Sequence, residues 1–392
     1  MRLLHTLTTY PPSVGGAQLH QHLLGKALSQ HQLQVVTYWS QNRTDWLLGT
    51  TIGAHSQPYD YQIGHIPVHR LGIGLGDKLA MATVLPLYYP CMPWAVKRLA
   101  GRLYPYLEPY VRAADLVHNV RIGREVLSYA SLRLARKYDI PFVLTPVHHP
   151  RWTGWRYRVY LDLYQQADGV FALTQAEKQI LIGLGVAPER IYVIGHGPVV
   201  SQNSDGHGFR QRYGIQGPMV LFLGQHYPYK GYQALLAAAP KIWRRFPAVE
   251  FVFIGPAVKS SEQAFAGADP RIHRLGAVDL QTKTDALGAC DILCVPSTQE
   301  SFGGVYTEAW SFRKPVIGCN IPAVAEVIED GVSGLLVEQS PEEIADGLLE
   351  LLTQPNLARS MGEAGYQKVQ QQYAWAAIGA KADRAYRKIF MG

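Results

Sequence analysis

Along this chain short apolar runs alternate with amphipathic stretches of helical length, and the alternation runs through twice. This constrains the fold more than any other feature, because a parallel strand must be followed by a crossover long enough to bring the chain back alongside the sheet. The first round has strand candidates at Arg2 to Leu7, Leu33 to Tyr38, Ile63 to Leu71, Leu116 to Asn119, Pro141 to Thr145 and Gly169 to Thr174. Helical patterns lie between them, at Ala17 to Ser29, Pro93 to Arg112, Val126 to Tyr138 and Ala176 to Leu184. The round closes on Arg190 to Ile194 and the turn Gly195-His196-Gly197-Pro198, and the polar, glycine-rich stretch Ser201 to Gly208 reads as a linker. The second round runs through Met219 to Leu223, Val249 to Ile254, Arg271 to Leu275, Ile292 to Val295, Pro315 to Cys319 and Gly334 to Val337. The restart predicts an α/β protein of two Rossmann-like domains, residues 1–200 and 201–372, with a terminal helix at 373–392 able to cross back to the first.

Four cysteines, Cys91, Cys290, Cys294 and Cys319, form no Cys-x-x-Cys pair, which argues against a zinc site or a disulfide scaffold. The start, Met1 to Thr9, is too short an apolar run for a secretory leader and reads as a first buried strand, so a cytoplasmic location is expected. Residues 1–200 hold 19 Lys+Arg against 11 Asp+Glu, whereas residues 201–392 hold 18 against 19. A positive excess confined to one half suits an anionic partner such as a lipid surface or a lipid phosphate; a basic face that aids solubility is the plainer explanation. Leu79 to Val96 carries no formal charge, but Pro86, Pro90 and Pro93 break any continuous helix there. That segment is expected as a loop and helix start, touching lipid through Tyr88, Tyr89 and Trp94 or packed internally.

The stretch most specific for chemistry is Pro296-Ser297-Thr298-Gln299-Glu300-Ser301-Phe302-Gly303-Gly304-Val305-Tyr306-Thr307-Glu308. It follows a strand, makes a polar turn and opens a helix. Free amides there can donate to phosphate or sugar oxygens, and glycine lets a ligand approach the backbone. Glu300 in the loop can accept from sugar hydroxyls, and Glu308, about one and a half turns into the helix, from a vicinal diol such as a ribose. Taken alone, a helix-start charge at Glu300 and a solvated helix residue at Glu308 account for both. A second block, Val220 to Gly231, ends a strand in Gly224-Gln225-His226 and starts a helix at Lys230-Gly231, where an ammonium and helix-start amides can converge on a diphosphate. A third, Tyr10 to Ala17, holds Gly15-Gly16 between a strand and its helix; a fourth, Leu144-Thr145-Pro146-Val147-His148-His149-Pro150, ends another strand.

The run from Asp291 to Val337, with Glu300, Phe302, Gly303, Glu308, Ala309, Lys314-Pro315-Val316, Glu326, Asp330-Gly331 and Gly334, closely resembles the signature of the retaining glycosyltransferases of family 4 (glycosyl transferases group 1). The other blocks follow in matching order, so the resemblance covers nearly the whole chain. It implies a GT-B fold, two Rossmann-like domains with parallel sheets facing across a cleft, the donor on the second and the acceptor on the first. By resemblance Lys230 is the diphosphate cation, Gly15 and Gly16 approach the donor phosphate, and Ser301, Phe302, Gly303, Gly304 and Glu308 bind the donor. A histidine beside the transferred sugar falls on His149 by the Thr-Pro-x-x-His-Pro spacing, with His148 as the other register. Gln225 stands where the family usually has arginine, so compensation would come from His226 or from an arginine elsewhere. Glu326 follows the family's pattern, either as a further site residue or only fixing its loop by hydrogen bonding, and Asp168 and Glu177 read as ordinary helix-end charges.

The chemistry so implied is transfer of a hexosyl unit from a nucleotide diphosphate sugar to a hydroxyl acceptor, glycan, lipid-linked or small, with retention. No Asp-x-Asp metal site is evident, so no metal or other cofactor is expected, and Lys230 with backbone amides would stabilise the leaving diphosphate. No carboxylate is placed as a nucleophile on the opposite face of the sugar, which points to front-face transfer. Rivals are a GT-B-fold nucleotide-sugar epimerase and a non-catalytic glycan-binding protein. A nicotinamide oxidoreductase would need Gly-x-Gly-x-x-Gly after the first strand, and Ser13-Val14-Gly15-Gly16-Ala17 is not that. Nucleic acid is not an expected partner.

Overall fold

The computed structural model describes all residues except 14, 41–45, 122, 123, 125 and 149–153, with backbone alone at 46 and 260. The chain divides into two compact units, Met1–Ile194 with Trp375–Gly392, and Gly195–Ala374. Each unit is an α/β fold built on one parallel or mostly parallel sheet.

The first unit is built on eight strands: β1 (Arg2–Leu7), β2 (Gln32–Thr37), β3 (Tyr59–Ile63), β4 (Ile66–Arg70), β5 (Leu116–Val120), β6 (Phe142–Thr145), β7 (Gly169–Ala172) and β8 (Ile191–Val193). Their order is β3-β4-β2-β1-β5-β6-β7-β8, parallel throughout except for the β3–β4 hairpin. The expected strand Ile63 to Leu71 is thus the turn and second arm of a hairpin, which turns at Gly64, whose φ of +62° suits glycine. Strands β5, β6 and β7 are buried along their whole length because helices cover both faces of a parallel sheet. Their core is partly polar. His118 hydrogen-bonds Tyr386 Oη through Nδ1 at 2.6 Å and Thr145 Oγ1 through Nε2 at 2.8 Å, and burial holds its pKa well below the ordinary imidazole range.

Tyr386 belongs to the last helix, Trp375–Met391, which joins the first unit. Its Ile378, Ala382 and Tyr386 enter one apolar cluster with Leu3, Leu24, Leu116 and Phe171. Gly379 is required there: a Cβ would lie 2.8 Å from that of Ala27.

The second unit has β9 (Met219–Leu223), β10 (Glu250–Ile254), β11 (Ile272–Gly276), β12 (Ile292–Val295), β13 (Val316–Cys319) and β14 (Leu335–Val337). All are parallel, in the order β11-β10-β9-β12-β13-β14. The stretch expected as a linker is instead part of this unit. Ser201 N donates to Thr284 Oγ1 at 2.9 Å and Asp205 N to Asp285 Oδ1 at 2.7 Å, and Gly206–Tyr213 is helical. The change of unit falls earlier, after Ile194.

The segment Leu79 to Val96 is broken as its prolines require, into the end of a helix at Leu75–Val84, a 3-10 turn at Leu85–Leu87 and a helix from Met92. Tyr88 is fully buried, so it is a core residue and not a lipid contact, whereas Leu79 and Trp94 are exposed. Among the described residues no helix is long and apolar enough to cross a membrane.

Candidate active site

In an open parallel sheet the crevice for a ligand forms beyond the carboxyl ends of the strands, where the strand order reverses. In the second unit that reversal lies between β9 and β12, which are neighbours although two strands intervene in sequence. Both strongest motifs leave the sheet there: Gly224 to Gly231 follows β9 and Pro296 to Gly304 follows β12. Lys230 ends a 3-10 turn, Pro228–Lys230, ahead of the helix Tyr232–Trp243, and Gly231 makes the junction at φ +83°. Glu300 lies in the loop before the helix Gly304–Trp310, and Gly303, at φ +82°, turns the chain into it.

The structure brings Lys230 and Glu300 together, with Nζ 2.5 Å from Oε1 and both side chains largely buried. The expected diphosphate cation and the expected sugar-binding carboxylate therefore satisfy each other. An anionic ligand entering this site must share or displace Glu300.

Glu308 is not a solvated helix residue. It is buried in the helix Gly304–Trp310, and Lys283 Nζ donates to its Oε1 at 2.8 Å and to Val199 O at 2.7 Å. Burial raises its carboxyl pKa, and Lys283 and the Val199 amide oppose that shift. Its other oxygen, Oε2, is buried with no hydrogen-bond partner among the described residues.

Phe302 is buried and stacks on His196, ring centroids 5.7 Å apart, with Tyr373 against its edge. The same His196 ring lies 3.2 Å from where a Cβ of Gly304 would stand, and burial pulls its pKa to about 4. Ser301 is half-buried in the same turn. Glu326, on the helix Pro322–Val327, is half-buried and acts electrostatically on Lys368 and Tyr373, away from the Lys230–Glu300 pair in sequence and element.

Gln225 is half-buried just past the end of β9. His226 does not replace the missing cation. Its ring is fully buried, stacked near Tyr232 and Phe265 at 5.4 and 5.2 Å, and among the described residues neither ring nitrogen has a partner. Burial, helped by Arg274, pulls its pKa to about 4, so it is neutral at pH 7. Arg274 itself is committed to Glu262 and to the face of Phe265.

Gly15, Gly16 and the histidine pair belong to the first unit. Gly15 precedes the helix Gly16–Ala27, where a Cβ would overlap Gln18 Oε1 at 2.3 Å. Among the described residues nothing lies within 4 Å of a Cβ built on Gly16. His149 lies outside the described residues. His148 is buried edge-on to Tyr164, in a strongly held loop. Val147, a β-branched residue, adopts φ +46°, and the buried Arg121 donates to Pro146 O at 2.9 Å and Val147 O at 3.2 Å.

Glu177 is more than a helix-end charge. It is buried, accepts from the Leu173 and His148 amides, and burial raises its pKa to about 7. Sequence reasoning also missed Lys283, whose helix, Leu280–Ala289, carries no motif; only the tertiary pairing with Glu308 reveals it. Among the described residues no group of three or more His, Cys, Asp or Glu side chains is arranged to hold a metal.

The family description "Glycosyl transferase 4-like domain" matches residues 15–197 and "Glycosyl transferases group 1" matches residues 217–354. The chain is 34% identical over 185 residues to phosphatidyl-myo-inositol mannosyltransferase of Mycobacterium tuberculosis, covering 45% of this chain and 49% of that protein. It is 30% identical over 246 residues to D-inositol 3-phosphate glycosyltransferase of Segniliparus rotundus, covering 59% and 54%. The matches thus span about half the length of these curated relatives. The solved HepE of Anabaena, in complex with UDP-glucose, superposes with a TM-score of 0.75 over 99% of this chain and 100% of that one, at 19% identity, a likeness of fold.

Proposed function

The chain belongs to the glycosyl transferases of group 1, with a glycosyl transferase 4-like first half, and on that premise we propose that it is a retaining, metal-independent hexosyltransferase using a nucleotide diphosphate sugar. The observation that carries the reading is the meeting of Lys230 and Glu300 at 2.5 Å, on loops that leave adjacent strands where the strand order reverses. Lys230 with its acceptor carboxylate, and the buried Glu308 with one oxygen free of hydrogen bonds among the described residues, are suited to a diphosphate, a sugar and a ribose respectively.

In the transfer, the bond between the anomeric carbon and the phosphate oxygen breaks, and the acceptor oxygen bonds to that carbon on the same face. The acceptor proton passes to the leaving phosphate oxygen, and the nucleoside diphosphate departs with its charge stabilised by Lys230 and backbone amides. No metal takes part. The acceptor hydroxyl is lipid-linked or lies near a phosphate. Support comes from relatives named for phosphatidyl-myo-inositol and inositol phosphate, and from the positive excess of residues 1–200. The protein works on the cytoplasmic side, in contact with anionic lipid through the exposed Leu79, Trp94, Lys97 and Arg98, which line or flank one groove. An epimerase would need no acceptor, and a glycan-binding protein would need no buried carboxylate–lysine pairs.

The test is a thermal-shift screen of nucleotide diphosphate sugars followed by transfer assays with the stabilising donor. Lys230→Ala and Glu300→Ala should each lower transfer by a factor on the order of 100, the scale of a lost transition-state donor. Excess EDTA should leave the rate unchanged. Full activity in both variants would remove the assigned roles, and EDTA loss reversed by a divalent ion would overturn metal independence.

A further inference from the structure

The carboxamide of Gln339 ties together the two loops that carry Lys230 and Glu300. It stands just past β14, and its Nε2 donates to Tyr229 O at 2.9 Å and to Pro296 O at 2.7 Å. An amide nitrogen carries two hydrogens, so both are committed, one to each loop. Tyr229 immediately precedes Lys230, and Pro296 opens the loop that leads to Glu300. The Tyr229 carbonyl also accepts from Thr298 N at 2.9 Å, a second link across the same junction.

The junction is tight. A Cβ on Gly231 would stand 2.5 Å from Pro296 O and 3.1 Å from Gln339 Nε2. The segment that bears Gln339 is itself anchored: Glu338 N donates to Glu343 Oε2 at 2.7 Å, and Ser340 Oγ caps the helix Pro341–Thr353 by accepting from Glu343 N. A loop fixed to that helix therefore sets the distance between the other two.

Resting on the donor reading above, we infer that Gln339 is a positioning residue for donor binding. By holding the Tyr229 and Pro296 carbonyls it fixes the spacing at which Lys230 and Glu300 meet the nucleoside diphosphate sugar. Two hydrogen bonds are at stake, so Gln339→Leu should weaken UDP or GDP binding about tenfold while lowering the melting temperature by only a few degrees. Donor KM should rise by the same factor, and kcat should fall by less. Gln339→Glu separates donation from bulk. A carboxylate facing two carbonyls cannot donate, whereas the protonated acid supplies one hydrogen. Relative to the wild type at the same pH, Gln339→Glu should be as weak as Gln339→Leu at pH 8 and regain affinity at pH 5.

The experiment is calorimetric titration of the full chain and of Lys230→Ala, Gln339→Leu and Gln339→Glu with UDP and GDP, alongside donor kinetics and melting curves. Weakened binding by folded Gln339→Leu, with pH-dependent recovery in Gln339→Glu, supports the role. If the wild type binds and Lys230→Ala is weakened but both Gln339 variants bind like the wild type, the inference falls and the donor reading stands. A loss that only tracks the unfolded fraction overturns it in the same way. If the wild type binds neither nucleotide, both fall.

Discussion

Replacing Lys283 by methionine isolates the buried charge of Glu308. The ammonium lies 2.8 Å from Oε1, with the lysine side chain 22% exposed and the glutamate 7%. Removing one partner of a buried ion pair costs about 3–5 kcal/mol, and the partial exposure of Lys283 places this case near the lower end, about 3 kcal/mol. Methionine keeps most of the stem's volume, so little of the loss is cavity. For a unit running from Gly195 to Ala374, that corresponds to a fall of roughly 6–12 °C in its melting transition. The effect depends on pH in a fixed direction. Burial raises the Glu308 pKa in the folded protein while Lys283 lowers it. A raised carboxyl contributes most stability when protonated, and that contribution is lost as pH rises from the ordinary carboxyl range through the raised value. Without Lys283 the raised value climbs further, so the variant should lose more at pH 8 than at pH 5. Glu308→Gln removes the charge, and the double variant should recover most of the loss. Differential scanning calorimetry of the wild type and the three variants at both pH values, following the second unit's transition, is the assay. Equal losses at pH 5 and 8, or strictly additive losses in the double variant, would refute the picture of a buried carboxylate held charged by Lys283.

Two further outcomes follow from groups outside the main pair. Glu177 carries a pKa raised to about 7 by burial, so the wild type should lose stability as pH rises from the ordinary carboxyl range through about 7, by at most about 3 kcal/mol. Glu177→Gln should flatten that slope in the melting temperature of the first unit; a slope that persists would assign it to another group. His226→Phe should leave donor affinity unchanged and keep or raise the melting temperature, since it removes two buried ring nitrogens that have no partner among the described residues. A loss of donor affinity in that variant, measured by titration, would restore a binding role to His226.

The hydrophobic alternation by itself located most of the parallel strands, because a strand covered on both faces must be a continuous apolar run. Expected and observed bounds coincide at β1, β9 and β12, and nearly so at β14. Strand β3 escaped notice for the opposite reason: Tyr59–Ile63 is an edge strand, largely exposed, with no apolar run to betray it. The motifs also marked Lys230, Glu300 and Glu308, because loops at strand ends require glycine and charge in a local order that can be read along the chain. Pairing could not be read that way. Lys230 and Glu300 are 70 residues apart, Lys283 and Glu308 25, and Gln339 lies 110 and 43 residues from the carbonyls it holds. Their meeting is decided by strand order, which puts β12 beside β9, and by burial, which leaves His226 neutral and Glu308 dependent on a lysine. Charge state and contact in a folded chain belong to the surroundings of a residue, and those surroundings exist only once the sheet has brought distant segments together.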